Sequence, residues 1–233
     1  LHLVALRLLA ALQAVLDDRA DLARAGAPVL RLGVVDALLT APATRSAGGL
    51  ARALAACVDA LPGLSLQLVT LRPIEIERRI LAGELDAGIL AAHPPAAGLQ
   101  HRRLYAEPNS LFVAPGHPWF ERVDATIALA DLDDVACVVD PFSIDLPAHV
   151  QAAALRGGAR ADSIEGAALL ALSGRFAAFL PDHLVAATQP LSALRRVHPA
   201  LFSYEQDIVL SNRSGNVDAA LRLLLRELED AGG

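Results

Sequence analysis

The 233-residue chain contains neither methionine nor lysine, so all 20 of its basic residues are arginine. The missing lysine excludes whole mechanisms. A Walker-type phosphate loop, a Schiff-base lysine and the strand lysine of protein kinases each need an ammonium group that this chain cannot supply. Cysteine is also scarce. Cys57, in a helical stretch, and Cys137, in a strand-like run, form no CxxC metal or redox spacing and read as small buried hydrophobes of a reducing cytoplasm. Nor is any apolar run long enough to span a bilayer, since the longest, Leu3 to Leu16, is interrupted by Arg7 and Gln13. The start leads into DDRADLARAG without a basic opening or a clear small-residue cleavage site, which argues against a signal peptide. Because the chain starts at Leu1 rather than methionine, a preceding segment is expected.

Concentrated positive charge is absent too. With 26 acidic against 20 basic residues, the net charge of −6 opposes phosphate neutralisation, so these residues are not expected to bind duplex DNA. Catalytic patterns are equally missing. His93, His117 and His198 each precede proline in extended or turn segments, no HExxH or GxSxG run occurs, and Asp133-Asp134 sits in a turn without an acid/base environment. We expect no catalytic residues, no metal and no cofactor.

What is present is period. In LSLQLVTLRPIEIERRILAGELDAGIL, Leu64 to Leu90, the alternation of Leu64, Leu66 and Leu68 predicts a strand. Ile76, Ile80 and Leu81 recur at helical spacing, Gly83 stops that helix, and Ala87 to Ala91 is a second, buried strand. Two strands joined by a helical crossover lie parallel, which predicts an α/β sheet with ligand loops at strand C-terminal ends. Around this unit we read an amphipathic helix over 1–24, a break at Gly26 to Pro28, a strand at Leu30 to Val35 and a helix at Gly48 to Leu61. The prolines make His93 to Gly98 a loop. Strands at Leu99 to Tyr105 and Ser110 to Val113 flank a polar junction, Ala106 to Asn109. A second half is expected to hold a strand at Val135 to Val139, a helix from Pro147 to Arg156, a strand ending near Ile164, a helix at Gly166 to Ser173 and a strand at Phe176 to Leu180. Tyr204 to Leu210 would then return as a strand and Val217 to Leu228 close as a helix.

Four runs, LRLGVV (Leu30 to Val35), LAGELDAGIL (Leu81 to Leu90), VAPGHPWF (Val113 to Phe120) and SGRFAAFLPDHLV (Ser173 to Val185), occur in an order and spacing that resembles LysR-type transcriptional regulators. The resemblance covers roughly residues 1 to 230 and is to their effector-binding half. It implies two Rossmann-like α/β lobes of periplasmic-binding-protein type II architecture, joined by two crossover strands and preceded by a linker helix. The expected division is 1–27 for the linker and hinge, 29–105 with 201–230 for lobe one, and 106–200 for lobe two, without one sheet continuous across both halves. The first helix either pairs with a partner subunit, as the resemblance implies, or packs on its own domain.

The resemblance also implies an effector pocket at four loops. These contribute Asp36, Ala37 and Thr40; Leu71, Arg72, Pro73 and Ile74; Phe142 and Ser143; and Glu165 with Gly166. Loops opening helices gather anions, because first-turn N–H groups are unpaired and the dipole favours negative charge. Where many relatives carry Ser or Thr at the start of the second helix, this chain has Arg72-Pro73, and the arginine either stays solvated or captures a carboxylate. Ser143 either caps a helix or binds a ligand oxygen, Phe142 either walls the ligand or packs in the core, and Glu165 either orients pocket donors or opens its helix. The implied function is effector sensing and assembly, as a homodimer or tetramer, in a cytoplasmic bacterial regulator that is not an enzyme and contacts no membrane. DNA would be bound only through a winged helix-turn-helix outside this sequence. An extracytoplasmic solute-binding protein shares the architecture and is the alternative, but it would normally begin at the first strand.

Overall fold

The computed structural model describes residues 27–41, 47–139, 147–148, 150–151, 158–215 and 217–230. The expected helix over 1–24, Phe142 and Ser143, and most of the expected helix from Pro147 to Arg156 lie outside these residues.

The first half follows the periodicity. Strand β1 (Val29–Val34), helix α1 (Ala47–Ala60), β2 (Ser65–Thr70), α2 (Pro73–Ala82) and β3 (Ala87–Ala91) alternate, and β1 pairs parallel with both β2 and β3. The GELD turn has a local cause. Gly83 ends α2 in the left-handed region at φ 78°, its N–H returns to the Ile80 carbonyl, and the Glu84 N–H reaches that of Arg79. Asp86 then accepts the Arg31 N–H at 2.7 Å, tying the turn to β1. Burial raises the Asp86 carboxyl above its ordinary range despite that bond. On α2 itself, Glu75 takes hydrogen bonds from Arg78 and Arg79, which hold its carboxyl down at about 2.

Helix α2 lies close against the sheet because Gly33 and Gly88 are register partners on β1 and β3. A Cβ on Gly88 would stand 2.1 Å from Cγ2 of Ile76, and one on Gly33 would stand 3.0 Å from Cγ1 of the same side chain. Ile76 is fully buried in this seat. On α1, Leu50, Ala53 and Cys57 are buried, while Val58 points outward with 47% exposure. The sequence places Leu50, Leu54, Val58 and Leu61 along the expected helix, more apolar surface than one face needs, but Leu54 and Leu61 pack against the core and only Val58 is left outward. Burial raises the Cys57 thiol's pKa.

Strands β4 (Leu99–Val113) and β9 (Ser203–Arg213) join the halves as a long antiparallel pair. Here the expectation of two strands around a junction at Ala106 to Asn109 is corrected. β4 runs through that segment without a break, absorbing its irregularity in a register shift between Arg103 and Tyr105. Pro108 is tolerated opposite Glu205. The sheet therefore runs unbroken in the order β2-β1-β3-β9-β4-β7, with β7 spanning Ala178–Pro181, against the expectation of a break in pairing between the halves. Each half nonetheless buries its own cores. One set gathers Leu30, Leu32, Ile89 and Leu224 on one face and Ile76, Ile80 and Leu90 on the other. A second gathers Leu111, Trp119 and Phe202 on one face and Phe112, Ala171 and Leu180 on the other.

In the second half, β5 (Val138–Val139) and β6 (Ala159–Arg160) pair parallel, and α3 (Ile164–Leu172) packs beside β7 (Ala178–Pro181). Two expectations move here. Val135 caps a 3-10 turn over Leu129–Asp134 instead of opening a strand, and Ile164 begins a helix instead of ending a strand, because Ser163 caps it. Cys137 is buried, and desolvation pushes its thiol up to about 12. Short helices α4 (Asp182–Ala187) and α5 (Pro199–Phe202) with β8 (Arg195–Arg196) complete this half, and α6 (Ala219–Asp230) closes the first by packing beside α1.

Candidate functional site

An open cleft of about 290 Å³ is lined by Asp36, Thr70, Leu71, Arg72, Asp162 and Ser163. The first four sit at the C-terminal ends of β1 and β2 and the start of α2; the last two immediately precede α3. Both halves thus supply walls, at the strand ends where α/β sheets place ligands.

Arg72 is the N-cap of α2, with extended backbone and no side-chain cap bond, and Pro73 follows as the first helical residue. Proline suits that position, since its absent N–H would have been unpaired. The Arg72 guanidinium is exposed and has no hydrogen-bond or ion-pair partner among the described residues. On the opposite wall the start of α3 is already occupied. Ser163 accepts the Gly166 N–H at 3.0 Å, and Asp36 reaches over from the end of β1 to accept the Ile164 N–H at 3.2 Å. A carboxylate from one half therefore already sits on a helix N-terminus of the other, where N–H groups and dipole favour it.

A second contact crosses between the halves nearby. Ala37 adopts the left-handed region at φ 64° and starts a 3-10 turn that presents Thr40. The Thr40 hydroxyl lies 2.9 Å from Nδ1 of His183 on α4, and Nε2 of the same ring lies 2.9 Å from Glu107 on β4. A carboxylate oxygen only accepts, so Nε2 carries a proton. His183 and Glu107 are nearly buried, their side chains 10% and 13% exposed, so the bonds are well shielded from water.

Of the expected pocket residues, Asp36, Leu71 and Arg72 line the cleft, and Thr40 joins the His183 bridge. Ala37 packs against the core of the second half, Pro73 is buried and Ile74 is 68% exposed. Glu165 is exposed on the first turn of α3, and the Gly166 N–H is already taken by Ser163. Sequence reasoning missed Asp162, Ser163, His183 and Glu107, whereas Thr70 opens the loop, through Ile74, that the parallel strands mark as a ligand loop. Ser163 was discoverable as a cap three residues ahead of Gly166; reading a strand as far as Ile164 concealed it.

The model of the LysR substrate-binding domain matches residues 27–233. The chain belongs to this family. It is similar to the HTH-type transcriptional activator BauR of Pseudomonas aeruginosa, with 30% identity over 208 residues, covering 89% of this chain and 67% of BauR. Among solved structures, the regulatory domain of CcmR from Synechocystis PCC6803, in complex with 2-PG, matches 88% of this chain and 97% of its own at a TM-score of 0.68 and 19% identity. Full-length CbnR bound to its target DNA matches 97% of this chain and 77% of its own, at 0.61 and 19%. At such identities the structures establish the fold, which is the two-lobe periplasmic-binding-protein type II arrangement. The chain is thus the effector-binding domain of a LysR-type regulator rather than an enzyme. Family membership also decides against the solute-binding alternative. Among the described residues no helix is long and apolar enough to cross a membrane.

Proposed function

We propose that this domain binds a small organic acid in the cleft between its lobes and passes that occupancy to a DNA-binding winged helix-turn-helix preceding it in a cytoplasmic regulator. The supporting observation is Arg72, a guanidinium at the cleft wall with no partner among the described residues. A charge-assisted bond to a carboxylate would use this free guanidinium. CcmR's complex with 2-PG and BauR's role as an activator agree with this reading.

The cross-lobe bonds of Asp36 and Thr40 suggest how occupancy is read. A ligand held by both walls favours whichever lobe arrangement forms those contacts and can shift the equilibrium by its differential affinity. We assign 29–105 with 201–230 to lobe one and 106–200 to lobe two, with β4 and β9 as the shared hinge.

Replacing Arg72 with alanine is expected to weaken binding of an acid effector by about 1.5–3 kcal/mol, the worth of a hydrogen bond to a charged group, while leaving thermal stability nearly unchanged. Calorimetry over a panel of aromatic and aliphatic acids tests this. Equal binding by wild type and R72A would remove Arg72 from the site, and binding of no acid by the wild type would overturn the reading.

Self-association completes the proposal. Edge strand β2 exposes Leu66 and Leu68 at 39% and 55%, close in sequence to Val58 of α1, an apolar margin suited to a second copy. Sedimentation at about tens of micromolar is expected to show a dimer, and monomer alone would count against it.

A further inference from the structure

The charges around the cleft are unequal, and several of its hydrogen-bonding groups are already committed. Its lining contains one cation, Arg72, and two carboxylates, Asp36 and Asp162. At the α3 end, the Gly166 N–H is taken by Ser163 and the Ile164 N–H by Asp36, while Glu165 adds a further exposed carboxylate to that turn. A ligand anion approaching this wall meets committed donors and negative charge. On the opposite wall the Glu75 and Ile76 N–H groups of α2 likewise donate to the Arg72 carbonyl, so the unspent positive charge of the lining is the Arg72 guanidinium itself. Asp162, exposed at the cleft, has no hydrogen bond or ion pair among the described residues, and Asp36 commits one oxygen to Ile164 and leaves the other without a partner there.

We infer that the effector is a small zwitterion, an amino carboxylate, whose carboxylate pairs with Arg72 on lobe one and whose ammonium pairs with Asp162 and the free oxygen of Asp36. This rests on the organic-acid reading and deepens it by assigning a chemical class and a direction of binding. An ammonium has three donors and no acceptor, which suits two carboxylates converging from different lobes. Its bonds would draw the start of α3 toward the end of β1, in the sense already set by the Asp36 bond to Ile164. A simple monocarboxylate would leave Asp162 facing an uncharged group, and a dicarboxylate would bring a second negative charge against it, so both are disfavoured. Recognition of this kind selects by repulsion as well as attraction.

The test uses the whole chain and titration calorimetry with short α- and ω-amino carboxylates, the matched carboxylates lacking the amine, the matched amines, and dicarboxylates. Amino carboxylates are expected to bind at least about tenfold tighter than the matched acids, the ratio expected of one charge-assisted contact. Asp162→Asn is expected to remove most of that advantage while leaving binding of the plain acids unchanged or improved. Should plain acids or dicarboxylates bind as tightly as amino carboxylates, or should Asp162→Asn affect neither or both classes equally, the zwitterion assignment is overturned and the organic-acid reading stands. If none of the acids binds, amino-substituted or not, both fall. An Asp162→Asn protein with an unchanged melting temperature and circular dichroism separates loss of recognition from loss of fold.

Discussion

Gly88→Ala is expected to destabilise the protein by about 1–3 kcal/mol, and Ile76→Ala by about 2–5 kcal/mol, for opposite physical reasons. The first forces a methyl group to within 2.1 Å of Cγ2 of Ile76; the second empties the fully buried seat that this side chain fills. Because both changes act on one contact, they should not add. In the double variant the new methyl group occupies part of the volume that Ile76 vacates, so its loss should fall short of the sum by about 0.5–3 kcal/mol. Urea denaturation of the four proteins measures this cycle. Strict additivity would show that Ile76 does not rest on Gly88 in the way the geometry indicates.

A second large effect is expected at Gly174. Its φ of +70° lies in the left-handed region, and a Cβ there would stand 2.3 Å from the carbonyl oxygen of Pro115, which is backbone and cannot swing aside. The conformational cost for alanine alone is about 1–2 kcal/mol. The clash adds to it, so Gly174→Ala should cost more than about 2 kcal/mol. Gly63 is the control. It has φ +81° with nothing within 4 Å of the position a Cβ would take, so Gly63→Ala carries the conformational cost without the clash. Equal losses in the two variants, read from denaturation midpoints, would dismiss the clash. The location has meaning, because Gly174 and Pro115 belong to two of the four runs that carried the family resemblance. SGRF and VAPG are far apart in the chain and meet in space, which explains the glycine at 174; Gly116 answers instead to its own φ of +93°, since a Cβ there would meet nothing nearer than 3.9 Å.

The domain's own residues decided much before any tertiary contact formed. The alternation at Leu64, Leu66 and Leu68, the helical spacing of Ile76 and Ile80 and the Gly83 stop specified β2, α2 and β3, because hydrophobic period and backbone permissiveness act locally. From parallel strands joined by a helix, the position of ligand loops at strand ends followed, and with it Leu71 and Arg72; Asp36 was implied by the family resemblance, and all three line the cleft. Absences were equally decisive, since a chain without lysine cannot perform several chemistries in any fold. The continuity of β4 through Ala106 to Asn109 was not legible, because those polar residues look like a turn until β9 supplies a partner for the whole length. Nor was the commitment of the α3 donors to Ser163 and Asp36, or the bridge from Thr40 through His183 to Glu107, whose members stand 143 and 76 residues apart along the chain. Sequence sets the period and the inventory of charged groups. Which charges end up neutralised by one another, and which are left facing the cleft, depends on distances that only the folded chain fixes.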